Sequence, residues 1–179
     1  MITAVIPTLG RRPNELRRAV DHLRSYPFDD IIVAQDEGKR LYTRYIQPVR
    51  SEYIYTQDDD HIVHNFTELI EMRKPDRIVA NMKPHFQAKY NTISDGNICL
   101  VGFGAVFPRT FVEDFDRYLA KFPEDALFHR EADRVFTWLH DKELIVGDIE
   151  DFETSWHGMS HDGEHENTLA RIIERLKTL

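Results

Sequence analysis

The chain has 179 residues, is 41% hydrophobic and 30% charged, and carries a net charge of −8; this suits one domain burying about 70% of its unfolded surface and speaks against a general nucleic-acid coat. No apolar run approaches the roughly 20 residues that span a bilayer, and the opening MITAVIP lacks the basic and long apolar regions of a signal peptide. The single cysteine, Cys99, can form no internal disulfide and fits a reducing compartment such as the cytoplasm.

The acid is unevenly spread. Residues 1–90 hold 14 Lys/Arg against 13 Asp/Glu, and residues 91–179 hold 9 against 18. Arg11, Arg12, Arg17, Arg18 and Arg24 could form a local basic lip. The last three read better as a solvated helix face.

Ile2 to Ile6 is an apolar run stopped by Pro7, which predicts a buried strand. Thr8, Leu9 and Gly10 form a turn, and Pro13 suits the first turn of a helix. Leu16, Ala19, Val20 and Leu23 follow the spacing of an amphipathic helix, ended by Pro27. Ile31 to Ala34 is a second buried strand. Strands apolar on both faces predict an α/β fold with a mainly parallel sheet covered by helices. Further along, Leu41 to Gln47 predicts a helix and Tyr53 to Gln57 a strand. A helix over Asn65 to Arg73 and a strand over Arg77 to Asn81 follow. Ile98 to Phe107 is apolar and interrupted by Gly102 and Gly104. Phe111, Phe115, Tyr118, Leu119 and Phe122 form a helical stripe. A helix over Glu131 to His140, a strand over Leu144 to Val146 and a C-terminal helix within 167–179 complete the chain. The span 151–167 is the least regular.

Open α/β sheets bind ligands beyond the carboxyl ends of their strands. Three polar turns fall there: Thr8 to Arg11, Gln35 to Gly38, and Asp58 to Asp60. Three adjacent carboxylates repel one another unless solvent or a cation relieves them, so Asp58, Asp59 and Asp60 form either a polar turn or a metal site. G-x-G-x-x-G after the first strand and the P-loop pattern are both absent. His157, His161 and His165 recur every four residues and would share a helix face suited to zinc. Gly158 and Gly163 argue against a continuous helix there.

VIPTLGRRPNELRRAVDHL, IIVAQDEG, YIYTQDDDHIV, LVGFGAVFPR and READRVFTWL occur in that order. In this order they resemble the GT-A fold glycosyltransferases, close to family 2, over about residues 1–150. So short a chain resembles the small members encoded by bacteriophages. The resemblance implies a GT-A, Rossmann-like mixed sheet forming one domain over 1–179. It implies transfer of a sugar from a nucleotide-sugar, with UDP favoured, to an acceptor hydroxyl. A divalent cation, Mn²⁺ or Mg²⁺, would neutralise the departing diphosphate.

By the same resemblance Asp60 binds the metal directly. Asp58 binds the ribose or a metal-bound water, and Asp59 acts less directly. Asp36 receives the base's ring N–H, while Pro7, Thr8 and Arg11 line the base and ribose. Asp133 is the general base of an inverting displacement, with Glu131 beside it in place of the usual adjacent acid. His157, or secondly His161, adds a metal ligand from a segment that closes as a lid, with Trp156 as a shield or a core residue. Phage-like company implies a hydroxymethylated DNA base or a virion protein as acceptor, with Arg11, Arg12, Lys83 and Lys89 along one rim. A nucleotidyltransferase and a non-catalytic sugar-nucleotide binder are the rival classes.

Overall fold

The computed structural model describes residues 1–152 and 165–179. His157, His161, Trp156 and most of the expected lid lie outside the described residues. Strand β1 (Ile2–Thr8) is buried almost throughout, as its apolar run requires. It lies between two parallel neighbours, β2 (Asp30–Gln35) and β3 (Tyr53–Thr56). Helix α1 (Pro13–Leu23) connects β1 to β2, starts on Pro13 and buries Ala19 and Leu23. Strand β4 (His61–Val63) follows β3. The sheet continues through β6 (Ala105–Pro108), β5 (Ile78–Met82) and β7 (Lys142–Val146) in the order β2-β1-β3-β6-β5-β7. Among these six strands β6 alone runs against the rest. The architecture is therefore α/β, with a mixed, mostly parallel sheet flanked by helices.

Alternation along the strands fills both faces. Ile2, Ala4 and Ile6 join Tyr53 and Tyr55 on one side, against Leu23 and against Phe66, Leu69 and Ile70 of α2 (Phe66–Glu71). Val5 and Ile54 face the other side. There they meet Phe128, Val135 and Phe136 of α5 (Ala126–Leu139) and Leu169, Ile172 and Ile173 of α6 (His165–Leu176). Each such large apolar side chain contributes about 1.5–3 kcal/mol when fully buried. Among the described residues no helix is long and apolar enough to cross a membrane.

The structure differs from the sequence expectation where segments are short or lack a stripe. The expected helix over Leu41 to Gln47 is a 3-10 helix at Arg40–Arg44, in a connection too short for more than a turn between Gly38 and Pro48. The stripe from Phe111 to Phe122 is divided between a 3-10 helix, Arg109–Asp114, and α4 (Phe115–Leu119). Helix α3 (Pro84–Ser94) has no apolar stripe, so periodicity misses it. β4 and β8 (Ile149–Asp151) are three-residue strands that pair antiparallel, with His61 opposite Asp151. The apolar run before β6 does not extend as a strand, because Val101–Phe103 forms a 3-10 turn and Gly104 adopts φ +98°.

Helix α5 starts at Ala126, earlier than the sequence suggests, because Asp125 caps it. Asp125 Oδ1 accepts the Phe128 N–H at 2.9 Å, and Oδ2 accepts from Arg175 Nη2 of α6 at 2.8 Å. Hydrogen bonding from Arg175 holds the Asp125 carboxyl below its usual range. A depressed carboxyl stabilises the fold above its unfolded pKa of about 3.9 and loses that contribution as pH falls through its folded value. Asp125→Ala is expected to cost about 1 kcal/mol at neutral pH through the lost cap. Urea titrations from neutral pH down to pH 2 should show the gap between wild type and variant closing in acid.

Candidate functional site

Parallel pairing brings three strand ends to one edge. Thr8 pairs with Gln35, and Val5 with Thr56. Three residues beyond each of that last pair stand Thr8 and Asp59, and the Thr8 hydroxyl donates to Asp59 Oδ2 at 2.5 Å. Pro7 is half-buried in β1, beyond the last residue paired with β3. Its missing N–H therefore costs the β1–β3 ladder nothing. The reversed strand β6 begins at this edge opposite Thr56, so the Gly102–Gly104 turn lies over the acids.

Asp58, Asp59 and Asp60 are each held differently. The Asp58 N–H donates to the Gly102 carbonyl at 2.9 Å, and its Oδ1 accepts from Arg44 Nη2 at 2.6 Å. A Cβ on Gly102 would stand 2.1 Å from Asp58 Oδ2, so only glycine leaves room for this carboxylate. Arg12 Nη1 lies 3.5 Å from Asp59 Oδ1 and 3.2 Å from Asp60 Oδ2. His61 Nε2 lies 3.0 Å from Asp60 Oδ1, and its Nδ1 2.9 Å from Asp151 Oδ1. These last contacts are close but poorly aligned, and Asp60 Oδ1 and His61 Nδ1 remain buried atoms without a hydrogen-bond partner. Lys83 Nζ, at the same edge, pairs with Asp151.

The electrostatics follow from these contacts. Burial opposes ionisation of Asp58, but the Arg44 guanidinium outweighs it and lowers the pKa. Burial pushes the Asp59 carboxyl up against the Thr8 hydrogen bond, and its two acidic neighbours add to the rise. Burial would lower the His61 pKa, yet the adjacent Asp60, with Asp58 and Asp151, raises it.

The remaining expected residues fall around this group. Asp36 follows β2, and its N–H donates to the Thr8 carbonyl at 2.9 Å. Its Oδ1 accepts from the N–H groups of Gly38 at 2.9 Å and Arg40 at 2.7 Å and from the Thr43 hydroxyl at 3.2 Å. Asp36 thus shapes its own loop and leaves Oδ2 outside these bonds. Arg11 is exposed, and its neighbour Arg12 is the arginine that meets the acids. Asp133 is only 4% exposed on α5. Its Oδ1 accepts from the Tyr45 hydroxyl at 2.8 Å and lies 3.2 Å from Arg44 Nε. Burial pushes the Asp133 carboxyl above its usual range, against Arg44. Glu131 is buried elsewhere, accepting from the Thr168 hydroxyl of α6 at 2.7 Å.

Sequence reasoning overlooked Arg44, Tyr45 and His61. Arg44 left one signal: it stands three residues after Leu41 and beside Tyr45, on the apolar side of its segment. His61 ends the acidic run and had been given no role.

The acids and His61 can hold a divalent cation. One ligand atom from each of Asp58, Asp60 and His61 lies within 4.8 Å of the others. That is close to the ~4.2 Å between opposite ligands of an ion with bonds near 2.1 Å. Asp60 Oδ1, buried and outside any well-formed hydrogen bond, faces His61 Nε2 at 3.0 Å, and these two atoms would offer lone pairs to such an ion. Gly102→Ala is expected to push Asp58 aside and weaken Mn²⁺ binding by about 10-fold or more, which isothermal titration reads directly; unchanged affinity would show that Asp58 does not shape the site. A scan against protein-family models and a search of curated proteins each find no match for the chain.

Proposed function

We propose that the protein is a metal-dependent glycosyltransferase that moves a sugar from a nucleotide donor, UDP-linked in this reading, to an acceptor hydroxyl. One observation carries the reading. Asp58, Asp60 and His61 bring one ligand atom each within 4.8 Å of the others, with Asp60 Oδ1 3.0 Å from His61 Nε2, at the edge where β1, β2 and β3 end. Those ends form the crevice in which an open α/β sheet takes its ligands.

A bound divalent cation supplies charge neutralisation for a diphosphate leaving group. The protein's own groups do the rest. Asp60 and His61, with Asp58 beside them, hold the cation. Asp59 is tied to Thr8 and Arg12 and stabilises the turn. Asp36 and Pro7 border the space between β1 and β2, where a base with a ring N–H can reach Asp36 Oδ2. Asp133 accepts the acceptor's proton through Oδ2, because Oδ1 is already engaged by Tyr45 and Arg44. The raised Asp133 pKa strengthens it as a base.

A thermal-shift series of nucleoside diphosphates, with and without Mn²⁺, tests the reading. Ligands that bind the native state raise the melting temperature by mass action. UDP is expected to stabilise the protein only when Mn²⁺ is present. Indifference to every nucleotide would remove the proposal. Asp133→Asn should lower turnover of the donor by about 10²–10⁴ with UDP binding intact at saturating Mn²⁺. Loss of turnover together with UDP binding would instead assign Asp133 a structural part.

A further inference from the structure

Arg44 is the most deeply buried charge of the group. Its side chain has 0% exposure, and a guanidinium does not shed its proton in a protein. Each arm of its fork has its own target. Nη2 donates to Asp58 Oδ1 at 2.6 Å, and Nη1 to Thr56 Oγ1 at 3.3 Å. Nε stands 3.2 Å from Asp133 Oδ1, an ion pair without hydrogen-bond alignment. Thr56 in turn donates to the Val5 carbonyl at 2.7 Å, which keys the arginine to β3 and β1. Tyr45, the next residue, donates to the same Asp133 oxygen at 2.8 Å. Two carboxylates from distant parts of the chain, one after β3 and one on α5, are thus set by a single rigid fork.

Fold stability alone gives no reason for such an arrangement. Taking a guanidinium and the Asp133 carboxylate out of water is costly, and apolar replacements of buried ion pairs are often neutral or stabilising. The arrangement makes sense where both acids must be presented in fixed relation.

We propose that Arg44 is a positioning residue that fixes Asp58 and Asp133 relative to one another, so that one buried guanidinium sets both the cation-holding side and the proton-accepting side of the site. The inference rests on the reading that Asp58 helps to hold a cation and Asp133 accepts a proton. Lysine cannot substitute, because a point charge on a flexible stem reaches one acid and leaves the other.

The test uses the full chain, with isothermal titration of Mn²⁺ in the presence of UDP and melting curves run in parallel. Arg44→Lys keeps the charge and is expected to weaken Mn²⁺ binding by about 10-fold or more. It should lower turnover with UDP-sugar through kcat more than through KM. Asp133→Asn removes the charge that anchors Arg44 to α5 without touching the acids after β3. It should also weaken Mn²⁺ binding severalfold, and it carries the test should Arg44→Lys fail to fold. A merely structural arginine predicts lower melting temperatures with wild-type Mn²⁺ affinity in the folded variants, and that result overturns the inference. Wild-type protein that takes up no Mn²⁺ overturns the metal reading, and this inference falls with it. Wild type that binds Mn²⁺ while both variants bind it equally well overturns this inference alone.

Discussion

A charged guanidinium with no access to water must find carboxylates, and Arg44 finds two. That requirement ties together parts of the chain that apolar packing also brings into contact. The loop after β2 carries Arg44 and Tyr45, the turn after β3 carries Asp58, and α5 carries Asp133. Hydrophobic burial brings sheet and helix together but is non-directional. The charge contacts choose which carboxylate stands where, since removing one partner would leave another buried charge uncompensated.

The polar edge shows how unequal environments separate three similar acids. Asp58 is partly open and lies beside Arg44, which favours its charged form. Asp59 is more enclosed, and its hydrogen bond from Thr8 does not offset burial. Asp60 keeps one oxygen on Arg12 and the other outside any well-formed hydrogen bond, 3.0 Å from His61 Nε2. Buried polar atoms without partners are uncommon and call for an account. The cation proposed above would account for this and for three carboxylates packed together at a strand end.

Glycine has a specific part at this edge. Gly102 passes so close to Asp58 that any side chain would occupy the carboxylate's place. Gly104, two residues on, takes φ +98° and would bring a Cβ to 3.1 Å from Val63. These two positions let the chain turn over the acids and then enter β6 directly. In the sequence they interrupt an apolar run. In the fold they form one wall of the site.

Much of this was legible without coordinates. The apolar runs from Ile2 and from Ile31, the Pro13 start and the Leu16–Leu23 stripe determined the first β-α-β unit, because alternation and helical spacing are local properties of the chain. The strand ending in Asp58, Asp59 and Asp60 was visible for the same reason, and so was the crowding of polar turns at strand ends. Other features depended on tertiary contacts. The reversed strand β6, the pairing of His61 with Asp151, the choice of Arg12 over Arg11 and the burial of Arg44 between Asp58 and Asp133 are all of this kind. Each joins residues far apart in sequence, and a side chain's periodicity carries no record of the distant partner it will meet. Local pattern told which residues would be buried or polar; only the assembled sheet and helices determined which charges would face one another.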